Sequence, residues 1–368
     1  MPDFCAYFNS NICRSCEQLP IGYTEQIRNK EKHLKEALSS TVNLDPPVTS
    51  VEQGFRNKAK LIVSGTFENP VIGLIDREIL DCPIHHPAIN ELIHDLIPFI
   101  TEAKLIPYVI SEKKGELKGL IIYHGDETYL RFVVRSKEPL DRIKKHLPSL
   151  LQKHPDLASV SVNIQPIHQA VLEGEEEILL GPRDSILQNY NEVSLRLRPR
   201  AFVQTNQKVA EKLYATAASW VKELKIEKFL ELFCGQGAFS FHCAGFVKEA
   251  RGVEINEEAV KMANESAHDL GLNHLKFMSM DAGKSLGVIK AFHPDLILVN
   301  PPRRGLAESV SVLKDNSPQW IIYSSCDVSS LARDVKELSS QYEIKRAQLF
   351  DMFPHTSHFE SLILLQRR

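Results

Sequence analysis

Short apolar runs alternate with helical patterns through the second half of the chain. Seven such runs follow residue 192, and only a loop separates the last two. Strands that alternate with helices are typical of a parallel, doubly wound α/β sheet. The pattern therefore predicts this sheet with an antiparallel pair at its end. The runs read KFLELF, EARGVEI, LKFMSM, DLILVN, WIIYSS, EIKRAQLFD and SLILLQ.

The first half of the chain is richer in strand patterns. An amphipathic stretch at 24–40 predicts a helix capped by Thr24, and LDPPVTSVEQG then ends it. Alternation from Phe55 onward, and the segments GLIIYHG, TYLRFVVRS and SVSVNIQP, predict strands with a helix near 86–104. A chain of 368 residues is also long for one core. We therefore expect two domains, an α+β domain at 1–191 and a doubly wound α/β domain at 192–368.

Composition and charge narrow the class of protein. Apolar residues make up 43% and charged residues 25%, as in folded soluble proteins. No apolar run approaches the roughly 20 residues that span a bilayer, and the N-terminus has no signal-peptide layout. We expect a cytoplasmic protein with no membrane or DNA partner, in which cysteines bind metal or act in catalysis. The net charge of −3 argues against binding nucleic acid by bulk charge but leaves room for a local basic groove.

Two alternating basic sets are candidates for such a groove. Each set would line one face of a strand, and a solvated face is the alternative for either. The first set is Arg56, Lys58 and Lys60, and the second is Arg196, Arg198 and Arg200.

A glycine loop after the first of the seven runs predicts a cofactor site. Gly235 and Gly237 allow a tight turn and close approach of a ligand. The next strand ends in Glu254, suited to ribose hydroxyls, and Asp281 follows the third strand, where it would meet an adenine edge. The acidic Glu231 before the loop suits the cationic S-adenosylmethionine better than a pyrophosphate. A nicotinamide site, or a glycine turn without a ligand, remains the alternative.

The ends of two later strands carry candidate chemistry. Asn300 precedes two prolines that stiffen a loop, and Arg303 and Arg304 follow, where cations suit phosphate or a carbonyl-bearing base. Cys326 stands after WIIYSS, at the strand end where ligands bind in α/β sheets. A thiolate there can add to carbon 6 of a pyrimidine and activate carbon 5 for methylation. A buried core thiol is the alternative.

This reaction also needs a base that removes the proton from carbon 5. The segment FPHTSHFES offers His355, His358 and Glu360, and we assign Glu360. The two histidines fit structural or phosphate-contacting roles better.

Four cysteines of the first half form a candidate metal site, Cys5, Cys13, Cys16 and Cys82. Four thiolates hold either zinc or an iron–sulfur cluster. Zinc sites more often contain two close pairs, so one pair with two separate cysteines favours a cluster. Unrelated cysteines remain the alternative.

Together, LELFCGQGAFS, VNPPRRG, YSSC and FDMFPHTSHFE resemble the motifs of the RNA uracil-5 methyltransferase family in order. CAYFNSNICRSC, EQGFRNKAKLIVSG and RAFVQTNQKVAEKLY extend the resemblance over nearly the whole chain, specifically to the 23S ribosomal RNA branch. It implies a Rossmann-like methyltransferase domain after an α+β RNA-recognition domain with a [4Fe–4S] cluster on Cys5, Cys13, Cys16 and Cys82. It implies S-adenosylmethionine contacts by Gln204, Phe233, Glu254 and Asn300, with Cys326 as nucleophile and Glu360 as base.

The resemblance also implies the substrate, one specific uridine of 23S rRNA. We expect the protein to be a monomer. The target base must leave its stack to reach Cys326, so we expect a hairpin loop rather than a duplex. A tRNA uridine methyltransferase, or an RNA-binding assembly factor without catalysis, is the alternative.

Overall fold

The computed structural model describes residues 4–39, 42–168, 173–316 and 318–368. Its elements before residue 182 are α1 (Ala6–Asn9), α2 (Tyr23–Leu38), β1 (Asp45–Val48), β2 (Lys58–Gly65), β3 (Pro70–Leu74), β4 (Arg77–Glu78), α3 (Pro87–Glu102), β5 (Leu117–His124), β6 (Thr128–Val134), α4 (Leu140–Lys153), β7 (Leu157–Ile164) and β8 (Glu176–Leu179).

The elements after residue 182 include two 3-10 turns, Ala244–Phe246 and Ala282–Lys284. The others are β9 (Ile186–Tyr190), β10 (Val193–Leu197), α5 (Gln207–Leu224), β11 (Lys228–Leu232), α6 (Ala238–Cys243), β12 (Glu249–Glu254), α7 (Glu257–Asp269), β13 (Leu275–Ser279), α8 (Leu286–Phe292), β14 (Leu296–Val299), α9 (Ser309–Asn316), β15 (Trp320–Ser325), α10 (Val328–Leu338), β16 (Tyr342–Phe350) and β17 (Glu360–Arg367).

The larger sheet has eight strands in the order β1-β16-β17-β15-β14-β11-β12-β13. All its pairs are parallel except those of β17, which is antiparallel to β15 and β16. Successive residues of β14 enter opposite apolar clusters, since Leu296 and Leu298 face one and Ile297 and Val299 the other. Helices on both faces thus explain why these runs are apolar throughout. The predicted doubly wound α/β sheet with its antiparallel end is confirmed.

The smaller sheet has the order β4-β3-β2-β5-β6-β7-β8. It is mostly antiparallel, with β6 and β7 parallel. Its third apolar cluster joins the sheet to α3 and α4, through residues such as Leu96, Leu130 and Leu147. This arrangement agrees with the α+β pattern of the first half.

The N-terminal segment crosses to the larger sheet. β1 pairs in parallel with β16, so residues 45–48 belong to that sheet.

The predicted Thr24 cap is wrong, because α2 begins at Tyr23 and its N-cap is Gly22, with no side-chain hydrogen bond. A boundary between residues 191 and 192 would fall in the turn of the β9–β10 hairpin. The division into two domains stays a prediction.

No helix in the described part of the chain is long and apolar enough to cross a membrane.

Candidate active site

The central parallel strands bring the predicted reactive residues to one edge of the larger sheet. Asn300 directly follows β14, and Cys326 directly follows the neighbouring β15. Asp327 accepts a hydrogen bond from the backbone N–H of Ser330 and so caps α10, which ends the strand at this point. The half-buried thiol therefore lies at a strand-to-helix turn, at the carboxyl edge of the sheet.

Glu360 reaches the same place from the opposite direction. β17 is antiparallel to β15, and the last pair of their register is Ser325 opposite Ser361, the residues directly next to Cys326 and Glu360. The Glu360 carboxyl is 2% exposed, and the Ser324 hydroxyl donates to its Oε1 at 2.9 Å. The structure thus brings together the two residues that the sequence predicted as nucleophile and base. Ser324 was not predicted as a partner, although the two serines before the cysteine were visible.

Burial raises the pKa of both residues of this pair. Burial raises the pKa of Glu360 to about 7, and the Ser324 hydroxyl partly offsets the effect. Burial, and then the Glu360 charge, raise the pKa of Cys326, whereas Arg303 lowers it through its charge and hydrogen bonding. Arg303 therefore lies at the thiol and favours the thiolate, a role that the sequence analysis did not assign to it.

Four of the predicted cofactor residues line one small cavity of about 50 Å³, namely Gln204, Phe233, Gly235 and Asn300. Phe233 and Gly235 both have positive φ, at 59° and 53°. A Cβ built on Gly235 would meet nothing within 4 Å, so the backbone there has open space beside it. At Gly237, by contrast, a Cβ would lie 2.5 Å from the Phe277 ring. This glycine therefore allows the start of α6 to pack closely against Phe277 of β13. The loop thus offers the close backbone approach that a cofactor needs.

Glu254 is tied to this loop, while Asp281 lies apart from it. The backbone N–H of Gly235 donates to one Glu254 oxygen at 3.0 Å, and that of Asn256 donates to the other at 3.0 Å. Each oxygen keeps a further lone pair for a ribose hydroxyl. Asp281 is exposed, accepts from the backbone N–H of Gly283 at 2.8 Å and is not among the residues that line the cavity.

Glu231 lines the glycine-loop cavity, but its carboxyl is buried rather than exposed to solvent. Its carboxyl is 1% exposed and accepts from the backbone N–H and the hydroxyl of Ser240. Burial raises the pKa of Glu231 to about 8, so the group is mostly protonated at neutral pH. The inference that Glu231 favours a cationic ligand stays a prediction.

The two histidines before Glu360 have different surroundings. His355 is buried, its Nε2 lies 2.8 Å from the Glu52 carbonyl oxygen, and its backbone N–H donates to Gln26. His358 is exposed. His355 is therefore a structural residue, in line with its interpretation from sequence.

The four predicted metal-binding cysteines line a second cavity, of about 430 Å³. Burial, and then the charges of Cys82, Cys13 and Cys5, raise the pKa of Cys16 to about 12. Arg56 lines the same cavity, where burial lowers the pKa of its guanidinium and the charges of Cys82 and Cys16 only partly offset the effect. Within the described residues, no group of three or more His, Cys, Asp or Glu side chains is placed to hold a metal ion. The metal assignment therefore stays a prediction.

The arginines of the second basic set bind acidic or carbonyl groups of the protein itself. Arg196 pairs with Asp269 at 2.7 Å and Arg198 with Asp184 at 2.9 Å, and Arg200 donates to the Glu175 carbonyl oxygen. These arginines are structural rather than a free basic face.

Comparisons with known proteins all lead to uracil-5 methyltransferases. The model of the family described as tRNA (Uracil-5-)-methyltransferase matches residues 183–368. A 23S rRNA (uracil(747)-C(5))-methyltransferase RlmC from Haemophilus influenzae (strain 86-028NP) is 42% identical over 99% of this chain and 98% of its own length. The RlmC of Proteus mirabilis (strain HI4320) is also 42% identical, over 98% of each chain.

A solved structure agrees with these relatives. The crystal structure of Pyrococcus abyssi tRNA (uracil-54, C5)-methyltransferase in complex with S-adenosyl-L-homocysteine is 27% identical. The superposition covers 95% of this chain and 85% of the Pyrococcus abyssi chain, with a TM-score of 0.80. The family that the sequence motifs predicted is confirmed: this chain belongs to the tRNA (uracil-5-)-methyltransferase family.

Proposed function

We propose that this protein transfers a methyl group from S-adenosylmethionine to carbon 5 of a uridine in 23S rRNA. The observation that carries the proposal is that Cys326 and Glu360 lie close together, each next to the Ser325–Ser361 pair. The neighbouring strand leads to Asn300, which lines the glycine-loop cavity. The nearly full-length relatives at 42% identity are named for uracil 747 of 23S rRNA, and we propose that base as the target. The similar tRNA enzyme is more distant, at 27% identity.

The chain's own residues supply nucleophile and base. The Cys326 thiolate forms a bond to carbon 6 of the uracil, and the electron pair of the C5–C6 double bond moves toward the ring carbonyl. Carbon 5 thereby becomes nucleophilic. S-adenosylmethionine supplies the methyl group as an electrophile. Glu360 then takes the proton of carbon 5, the double bond re-forms, and the C6–S bond breaks to release the thiolate.

The electrostatics of the pair suit these steps. A base works best when its pKa lies near the working pH, and burial gives Glu360 a pKa of about 7. The Arg303 guanidinium favours the thiolate against the effects of burial and of Glu360. We propose that Arg303 also stabilises negative charge on the uracil carbonyl as the adduct forms.

We assign the cofactor to the glycine-loop cavity. Gln204, Phe233, Gly235 and Asn300 line it, and Glu254 is fixed at its edge by the hydrogen bond from Gly235. We propose that Glu254 binds the ribose hydroxyls and that Asp281, two residues beyond β13, contacts the adenine edge. The open space beside Gly235 supports this assignment.

We propose that Cys5, Cys13, Cys16 and Cys82 hold a [4Fe–4S] cluster. Four thiols around one cavity would repel one another as thiolates, and a cationic iron core would offset this repulsion, which adds to burial in raising the pKa of Cys16. Arg56 lines the same cavity, and its positive charge would offset part of the remaining negative charge. Such a cluster would fix the N-terminal segment to the loop that contains Cys82. Nothing in the proposed methylation requires it to change its redox state.

The test is nucleoside analysis after incubation with labelled S-adenosylmethionine. The anaerobically purified protein is given unmodified 23S rRNA or unmodified tRNA in parallel. Label in 5-methyluridine from the 23S rRNA supports the proposal, label from the tRNA would move the activity to the other substrate, and label in neither would reject it.

Two variants test the roles of the pair. Cys326→Ala should form no 5-methyluridine while it still binds S-adenosylmethionine. Glu360→Gln should accumulate a covalent protein–RNA adduct, visible as a shifted band on a denaturing gel, because the proton of carbon 5 is not removed. Turnover by Cys326→Ala would show that another group is the nucleophile, and the absence of an adduct would mean that another group is the base.

A further inference from the structure

Asp334, a buried residue of α10, joins β15 to the loop that follows β14. Its side chain is 1% exposed. Among the described residues, its Oδ2 accepts from the Tyr323 hydroxyl at 2.8 Å and from the backbone N–H of Leu306 at 2.7 Å. Its Oδ1 accepts from Nε and Nη2 of Arg333 at 3.0 and 2.9 Å. A carboxylate has about four acceptor positions, so these donors use its full capacity.

The first partner connects this carboxylate to the strand that leads to Cys326. Tyr323 lies in β15, three residues before the thiol, and its side chain is buried. Burial, and then the charge of Asp334, raise the pKa of Tyr323, so its hydroxyl keeps the proton that it donates. This hydrogen bond therefore fixes α10 against β15 close to the turn that contains the thiol.

The other partners connect the carboxylate to the loop that contains Arg303. The Nη2 atom of Arg333 that binds Asp334 also donates to the Arg304 carbonyl oxygen at 2.7 Å. The backbone N–H of Leu306 binds Asp334 directly. The loop is thus held at two backbone positions that come just after Arg303.

The backbone of this loop lies so close to the carboxylate that a side chain would not fit at Gly305. This residue has a φ of 79°, and a Cβ built on it would overlap Oδ2 of Asp334 and lie 2.5 Å from Nη2 of Arg333. The backbone N–H of Gly305 also donates to the Pro302 carbonyl oxygen at 2.8 Å, which closes a four-residue turn that includes Arg303. The turn therefore packs directly on the α10 carboxylate.

We propose that Asp334 is a positioning residue that keeps Arg303 in contact with the Cys326 thiolate. The inference goes beyond the proposed function, although it rests on the roles which that function gives to the thiol and the arginine. Arg303 is exposed, and a long exposed side chain keeps one position only at a cost in conformational entropy. Holding its backbone reduces this cost. Because Asp334 joins that backbone to the strand of the thiol, it sets the distance between the two reacting groups.

Charge alone predicts an effect of opposite sign, which makes the inference testable. Asp334→Asn removes a negative charge and leaves Arg333 without its counter-charge, and both changes would lower the pKa of the Cys326 thiol. The variant also replaces one carboxylate oxygen by an NH₂ group, which meets N–H or O–H donors and so releases the turn. If the release moves Arg303 away from the thiol, the pKa of the thiol rises instead.

The first test measures the alkylation of Cys326 by iodoacetamide as a function of pH. The thiolate is the reacting form, so a rise of one unit in the pKa of the thiol lowers the reactive fraction about tenfold at a pH below both values. We expect Asp334→Asn to slow alkylation severalfold at neutral pH when Arg303 is present, and not to slow it in an Arg303→Gln background. Glu337→Gln, at an exposed residue of the same helix, removes the same charge and is the matched control.

The second test changes no charge and keeps Asp334, so it remains informative if Asp334→Asn does not fold. Gly305→Ala pushes the turn away from the carboxylate, because the new Cβ would overlap Oδ2. We again expect slower alkylation of Cys326. Gly271→Ala is the control for backbone strain, since Gly271 also has positive φ, at 68°, and its Cβ would meet nothing within 4 Å. It should lower the thermal midpoint without changing the alkylation profile.

The outcomes separate this inference from the proposed function. Faster alkylation in Asp334→Asn, or equal slowing with and without Arg303, would overturn the positioning role. A lower thermal midpoint with an unchanged alkylation profile would make Asp334 a purely structural residue, which also overturns it. If the wild type methylates no RNA but Asp334 and Arg303 remain coupled in their effect on the thiol, only the proposed function is rejected.

Discussion

The reactivity of Cys326 depends on two neighbours of opposite charge. Glu360 raises the pKa of the thiol and Arg303 lowers it. We therefore expect Arg303→Gln to raise this pKa, so that alkylation of Cys326 by iodoacetamide becomes slower at a given pH and needs a higher pH to reach its plateau. Glu360→Gln removes a repelling charge and should shift the same profile to lower pH. Peptide mass spectrometry can follow Cys326 separately from the other six cysteines.

Arg304→Gln is the matched control for this prediction. Arg304 is the next residue along the chain and exposed, and it is absent from the groups that act on the thiol. Its removal changes the net charge equally. If both arginine variants shift the profile by the same amount, the effect is one of general charge, and the specific role of Arg303 is wrong.

The buried Glu231 should make stability depend on pH. Its folded pKa of about 8 lies above its ordinary value of 4.5, so the folded state holds a proton that the unfolded chain releases. Its contribution is therefore complete below pH 4.5 and is lost as the pH rises through 8. Each unit of pKa corresponds to about 1.4 kcal/mol, so a few kcal/mol are involved. We expect Glu231→Gln to flatten the fall in the free energy of unfolding between pH 5 and 8, as measured by urea denaturation. Part of the slope should remain, because burial also raises the pKa of Glu360 to about 7. A slope as steep as that of the wild type would contradict the assignment to Glu231.

At the level of single residues, local motifs predicted the nucleophile, the base and the glycine loop. Each is recognisable within about ten residues of sequence. The partners of the pair were not predictable in this way. Ser324 binds Glu360 only because β15 and β17 are antiparallel in one register, and the two residues are 36 positions apart. The position of Arg303 depends in the same way on how two neighbouring loops meet.

Among the elements, α2 supports the loop that leads to Glu360. The Lys30 amine contacts the Asp351 carboxylate at 2.6 Å, with the side chains 2% and 0% exposed. It also donates to the Phe353 carbonyl oxygen at 3.1 Å, and the Tyr23 hydroxyl donates to Asp351. Removing one partner of a buried pair leaves the other charge uncompensated, which costs about 3 to 5 kcal/mol. We expect Lys30→Met to lower the free energy of unfolding by this amount and to reduce the methylation rate.

Lys32→Met serves as the control on the same helix. Lys32 is 74% exposed and lies 3.9 Å from Glu36. An exposed pair of this kind contributes about 0 to 1 kcal/mol. Equal losses in the two variants would show that the helix charge, and not the buried pair, is responsible.

The elements also show where sequence patterns reach their limit. The apolar runs located the strands of the larger sheet because strands buried on both faces need continuous apolar residues. β1 escaped prediction, since its sequence DPPV was interpreted as a helix breaker. Prolines are tolerated on edge strands, and β1 lies at the edge of the sheet beside β16. Its pairing depends on the tertiary fold rather than on local propensity.

On the scale of the whole molecule, the two cavities rest on different parts of the chain. The glycine-loop cavity is lined by residues from 190–239 and Asn300, whereas the cysteine-lined cavity is built mainly from residues 4–19 and 56–85. The segment after Cys16 also contacts the loop before Glu360. There the backbone N–H of Gln18 donates to the His355 carbonyl oxygen at 2.9 Å, and Glu17 accepts from that of Ser357 at 2.7 Å. Loss of the four-cysteine site should therefore disturb RNA binding and the position of the catalytic base Glu360 more than it disturbs the cofactor site.

We expect Cys16→Ala to lose iron and sulfide, to bind the RNA hairpin at least tenfold more weakly, and to methylate it slowly. Its affinity for S-adenosylhomocysteine, measured by calorimetry, should stay within about twofold of the wild type, because none of the four cysteines lines the glycine-loop cavity. Cys243→Ala, which removes a buried thiol that lines neither cavity, should change none of these quantities. An equal loss of cofactor and RNA binding in Cys16→Ala would mean that the thiols stabilise the whole fold. Unchanged RNA binding in a variant without iron would separate the cysteine site from substrate recognition altogether.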